Sequence, residues 1–390
     1  MVFILFYLFF FFNFVLPQWI WKQLYTDDSK GCRDIGTLYA AKVFLKATDV
    51  RGKPLNCFYA FEELLDKYIK ALTLAAAMDF FGMENTTCEA TQNVKNADQS
   101  DEDYTMDVLG KIVDTYAIQH EPGALAIDKA FQCPKCNKKP YKTSKGLKAH
   151  INQKHPESLQ AEEVHRNKAS IGDYCRTAMG MILLAANFTD ARKCGDGERI
   201  IRLYRFFTLH FKAANKTKYA YHALRLQAQT QCLLTERMAH VLTWNRFVNN
   251  AGKIDSNIEV DRENEHRNRT VKQETRVFHG KISDKSIKRV GEAAQALEEI
   301  LLQADRSSRT KRPSGKHGKV DTSSDVLALT DVYHNERVFD SGPDRQLHAL
   351  PDFQKDPFSH LDLAEIHQWM TKTLTTISKQ KVFQQFEKPL

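Results

Sequence analysis

The run Phe61-Glu62-Glu63-Leu64-Leu65-Asp66-Lys67-Tyr68-Ile69-Lys70-Ala71-Leu72-Thr73-Leu74-Ala75 decides the fold class. Phe61, Leu64, Leu65, Tyr68, Leu72 and Ala75 recur at steps of three and four, which lays one apolar face along a helix. Gly82 is the expected stop. Outward from this run the same periodicity returns. After a polar, acidic loop at Glu89 to Asp103, a second helix carries Leu109, Ile112, Val113 and Tyr116, closed by Glu121-Pro122-Gly123. Further stripes are Ile200, Leu203, Tyr204, Phe207 and Phe211, then Met238, Val241, Leu242 and Val248. Ile287, Val290, Ala294, Leu297 and Leu301 form the most regular stripe, with Ser283 as N-cap and Asp284 in the first turn. A last helix is expected from Ser359, with Leu363, Ile366, Met370 and Ile377 facing inward.

The 390 residues are 42% hydrophobic and 27% charged, which gives a chain able to build two or three units and argues against wholesale disorder. Eight cysteines in this length exclude a small disulfide scaffold. The sequence has no Gly-rich phosphate loop and no internal repeat. The expected architecture is mainly α, with helical domains and one inserted ββα Cys2His2 zinc finger. Its units are a hydrophobic segment at 1–18, an N-terminal helical region at 19–125, the finger at 129–156, a helical core at 160–305, a basic flexible linker at 306–325, and a C-terminal loop and helix at 326–390.

The finger rests on Cys133-x2-Cys136-x13-His150-x4-His155. Two thiolates and two imidazoles give zinc a closed tetrahedral set, so one structural Zn2+ ion is expected and no water-bearing catalytic site. Phe131, Tyr141 and Leu147 supply the small apolar complement of such a module. A unit this small depends on metal to fold. Reduced thiols place the protein in the nucleus or cytoplasm. The other cysteines, at 32, 57, 88, 175, 194 and 232, form no CxxC pair and read as buried thiols.

The net charge of +8 is local. Lys129 to His155 holds eight lysines and no acidic residue, which leaves the rest of the chain neutral. Lys138, Lys139, Lys142, Lys145 and Lys148 are the candidate phosphate contacts. The positions that would read bases, Thr143, Gly146 and Ala149, lack bidentate side chains. The finger is therefore expected to bind nucleic acid without sequence choice, or protein. Arg309 to Lys319 reads as either an import signal or a solvated linker. No small-molecule substrate is indicated.

Met1 to Leu16 is almost wholly apolar, with seven phenylalanines. It reads as a membrane anchor, a signal peptide or a gene-model artefact. It lacks the positive n-region of a signal and falls short of the roughly 20 residues of a span. A membrane partner is expected only if residues 1–21 are genuine. Asn85, Asn187, Asn215 and Asn268 lie in glycosylation sequons, relevant only to a secreted chain.

Trp21-Lys22-Gln23-Leu24-Tyr25, Gly36-Thr37-Leu38-Tyr39, Gly195-Asp196-Gly197-Glu198-Arg199-Ile200, Trp244-Asn245-Arg246-Phe247-Val248-Asn249, and Asp261 with Glu265-His266-x-Asn268 occur in that order. In combination they resemble a large animal family known only as a domain of unknown function, of the 6589 type. The resemblance implies mobile-element ancestry and no particular reaction. Family members carry a Gly-Asp-Gln-Leu-Thr motif and a Trp-His pair upstream, and the present sequence has neither. Among the carboxylates, Asp196, Asp261 and Glu265 are the candidates for metal-assisted phosphoryl chemistry. Against that role, Asp196 reads as an N-cap, and Glu265 and His266 sit among arginines. The favoured reading is a non-enzymatic zinc-finger protein. The alternatives are a degenerate transposase or nuclease fragment and a membrane-anchored protein.

Overall fold

The computed structural model describes residues 16–25, 34–117, 133, 136, 144–155, 169–275, 283–309 and 321–379, except 52–53, 55, 97–98, 343–344, 349, 351–352, 354–357 and 359–360. Helices dominate it. The β-structure among the described residues is one two-stranded ladder and one isolated bridge.

Residues 16–24 form α1, which buries Leu16, Trp19, Ile20 and Leu24. The end of the hydrophobic segment is thus part of the protein core; residues 1–15 lie outside the described residues. No helix among the described residues is long and apolar enough to cross a membrane. Helix α2 (Leu38–Phe44) is capped by Thr37, whose hydroxyl accepts from Ala40 N at 3.2 Å. Helix α3 (Phe58–Phe81) buries all six residues of the opening stripe and stops at Gly82, which takes φ 62°. Helix α4 (Asp101–Tyr116) is capped by Ser100. Its inward face is Val108, Ile112 and Tyr116, and Leu109 is 50% exposed. The stripe is turned by one residue from the expectation, because the Tyr116 hydroxyl donates to Asp79 of α3 at 2.5 Å and fixes the rotation.

After α5 (Ser144–Lys154) come α6 (Ile171–Cys194), opened by a Ser170–Asp173 capping box, and α7 (Gly197–Ala213), which buries the whole Ile200–Phe211 stripe. Helix α8 (Thr217–Ala228) runs into a single π-turn at Gln229–Leu233, followed by α9 (Glu236–Trp244). The stripe ending in Val248 does not continue as one helix. Asn245 caps α9, and Val248 lies in β1 (Phe247–Val248), antiparallel to β2 (Ile258–Glu259) with Phe247 opposite Glu259. Val241 is 41% exposed. Helices α10 (Val260–Thr275) and α11 (Asp284–Ser307) pack on each other. Ser283 caps α11 as expected, but the regular stripe is not core: Val290 is buried while Ile287 and Leu301 are exposed. Its partner α10 is rich in charge and offers little apolar surface to cover it.

Helix α12 (Ser323–Asn335) returns to α3, where Lys67 Nζ meets Asp325 Oδ2 at 2.9 Å and Tyr68 meets Tyr333 edge-on. Helix α13 (Leu363–Ser378) begins beyond the expected Ser359, because Asp362 caps it by accepting from Ala364 N and Glu365 N. Ile366 and Ile377 are buried. The cysteines divide differently from the expectation. Cys175 is buried, Cys57 and Cys88 are half-buried, and Cys194 and Cys232 are exposed. Cys32 and the segments 156–168 and 310–320 lie outside the described residues.

Candidate metal centre

Helix α5 carries His150 on its buried side, and His155 follows its end, its N–H donating to Ile151 O at 2.8 Å. Because His155 has left the helix, the chain can turn its ring back towards His150. The two imidazoles stand edge to face with centroids 5.2 Å apart. Cys136 Sγ lies 3.2 Å from a ring nitrogen of His150, and Cys133 is buried. The ligand atoms of Cys133, Cys136, His150 and His155 all lie within 4.8 Å of one another. Two thiols and two imidazoles are donors of the kind zinc prefers, and they stand close enough that the group could hold a metal ion. The hairpin expected before α5, with Thr143 and Lys138, Lys139 and Lys142, lies outside the described residues. Lys145 and Lys148 are on α5, as are Gly146 and Ala149.

The three candidate carboxylates do not converge. Asp196 caps α7, accepting from Arg199 N at 2.9 Å and pairing with Arg199 Nε at 3.2 Å. Glu265 is exposed on α10, where Arg267 pairs with Glu263 instead. Asp261 is buried in the first turn of α10. Among the described residues, the gathering of three or more metal-ligating side chains is the Cys/His group.

Asp261 instead belongs to a buried charged cluster that the sequence reading missed. Glu259, at the end of β2, is 1% exposed and pairs with Arg192 of α6 at 3.4 Å. Arg246, also buried, donates through Nε to Leu242 O and acts electrostatically on Tyr204 and Asp261. Burial lowers the Arg246 pKa to about 10. Burial raises Asp261 to about 6; Arg246 opposes that rise and Glu259 adds to it. A hint lay in the sequence at Glu259, a lone carboxylate between Ile258 and Val260.

This cluster sets a pH dependence. With a folded pKa near 6 against about 3.9 in the unfolded chain, Asp261 binds its proton more tightly when folded. Its contribution to stability therefore falls as pH rises from about 4 to 6 and is level above that. Urea unfolding at several pH values should show this decline flattened in Asp261→Asn. An unchanged profile would place Asp261 in contact with water.

The stretches that carry the family resemblance mostly build structure. Trp21 stacks on Tyr25 at 3.6 Å and meets Phe61 edge-on. Gly36 O accepts from the Tyr68 hydroxyl at 2.7 Å, and Leu38 N donates to Tyr174, whose own hydroxyl donates to Leu24 O. At Gly197 a Cβ would stand 2.1 Å from Thr243 O, so only glycine lets α7 approach the end of α9 this closely. Asn257 ties the β1–β2 connection to α6 by donating to Lys193 O at 2.8 Å.

No curated protein and no solved structure matches the chain. A family match does exist, and it starts within the hydrophobic segment, ahead of Trp21. Residues 8–317, most of the chain, match the group described as a family of unknown function (DUF6589), and the protein belongs to that family.

Proposed function

We propose that the protein is a zinc-binding Cys2His2 finger protein without catalytic activity, and that the finger contacts nucleic acid through phosphates. The observation that carries the zinc assignment is the convergence of Cys133, Cys136, His150 and His155 within 4.8 Å. Zinc bound there supplies folding free energy to the finger, with all four positions filled by protein. The nucleic-acid reading rests on the eight lysines between 129 and 155 and the absence of acidic residues among them. Lys138, Lys139, Lys142, Lys145 and Lys148 provide charge without base readout. The reduced thiols that zinc requires fit the nucleus or cytoplasm. Mobile-element ancestry is the origin proposed for the family likeness.

The test uses the full chain with duplexes of unrelated sequence. Binding is expected to be equal across sequences and abolished by EDTA. Five phosphate contacts would give a log–log salt slope of about −4 to −5. One strongly preferred sequence, or no binding at low salt, overturns the nucleic-acid reading and leaves protein as the partner. A degenerate nuclease is the second reading, favoured only by the buried Asp261 beside Glu259. Magnesium-dependent cleavage lost in Asp261→Asn would establish it.

A further inference from the structure

Helices α7, α8 and α13 and the π-turn line a half-open cavity of about 720 Å³, within the range of about 300–1,000 Å³ that holds small ligands. Leu224 and Ala228 are buried beneath it, and Leu374 stands exposed on the α13 side. The π-turn supplies Gln231, Cys232 and Leu233 to the wall. Such turns recur at functional sites, because the extra residue widens the helix.

The polar groups of the lining are mostly engaged within the protein. Thr208 donates to Tyr204 O at 2.7 Å, Thr375 to Thr371 O at 2.8 Å, and Ser378 to Thr375 O at 3.0 Å. Gln227 donates to Ile201 O at 2.6 Å and accepts from Gln231. A sugar or nucleotide would find few free donors here. Arg205 is the one charged residue of the lining. It is exposed, and among the described residues it has no ion pair. The lining thus offers an apolar volume with a single cation.

We propose that this cavity binds a linear carboxylate amphiphile, a free fatty acid, with its carboxylate on Arg205 and its chain against Leu224, Leu233, Met370 and Leu374. Arg matches a carboxylate in planar, two-point geometry, and the apolar walls take the chain by removing it from water. The site lies apart from the Cys/His group and does not depend on the zinc assignment.

Dodecanoate, titrated calorimetrically into the full chain below its micellar concentration, tests the proposal. Saturable binding at one site per chain is expected, unchanged by EDTA. Dodecanol should bind about tenfold more weakly or worse. Arg205→Gln should bring dodecanoate down to the level of dodecanol. Leu224→Trp should fill the cavity and abolish binding of both. Leu374→Trp does the same from an exposed position, should Leu224→Trp fail to fold. In the unmodified protein, dodecanoate should slow alkylation of Cys232 by iodoacetamide. Absence of saturable binding, equal affinity for dodecanol, or full binding by Leu374→Trp overturns the proposal.

Discussion

Cys133→Ser is expected to remove zinc from the full-length protein and to unfold the segment around α5 while leaving the helical core intact. The unmodified chain should carry one zinc ion, released by EDTA. Two observations set the size of the effect. Helix α5 has 11 residues, too few to persist alone where isolated helices shorter than about 12–15 residues are marginal. The four ligands supply on the order of 10–16 kcal/mol of binding free energy in such modules, close to their entire folding free energy. The effect should also be local. Among the described residues, the main hydrophobic cluster passes from Ala117 directly to Tyr174 and includes no finger residue. Amide exchange in Ser144–Lys154 should therefore rise to unprotected rates, while α3, α6 and α7 keep theirs. Persistent protection of α5 in zinc-free protein would refute the assignment.

The second large effect is expected at Arg246. Arg246→Ala should destabilise the protein by about 3–5 kcal/mol, because it removes one side of a buried charged cluster and leaves the other side uncompensated. Glu259 is almost fully buried and Asp261 nearly so, and Asp261 lies in the field of the guanidinium. The lost packing of the long side chain adds to the electrostatic cost. Asp261→Asn in the Arg246→Ala background should recover part of the loss, since it removes a charge that has lost its counterion. Chemical denaturation of the two single variants and the double variant measures that coupling. A cost below about 1 kcal/mol for Arg246→Ala would mean the pair behaves as a solvent-exposed ion pair.

Local chemistry was the legible part of this protein. The 3–4 spacing of Phe61 to Ala75 specified α3, and Gly82, Asp196 and Ser283 marked helix ends, because a cap needs only neighbours within a few residues. The Cys/His spacing likewise selected four side chains that do come together. Whatever depended on a partner far along the chain was hidden. Leu109 was the expected inward residue of α4, and Val108 takes that place where Tyr116 meets Asp79. Ile287 and Leu301 have the right period, but the neighbour on which α11 packs is polar. The charged cluster draws on residues 192, 246, 259 and 261, and the cavity requires α13 to lie beside α8. No window of sequence contains those pairings.

The return of α12 to α3 has a consequence for synthesis. Lys67 waits for Asp325, 258 residues later. At about 5–20 residues per second, the apolar face of α3 emerges roughly 13–50 s before the helix that covers it. During that interval the nascent chain presents Tyr68 and its neighbours to the ribosome surface and to holdase chaperones. Maturation should accordingly be post-translational, and slowed translation should raise the yield of aggregated chain.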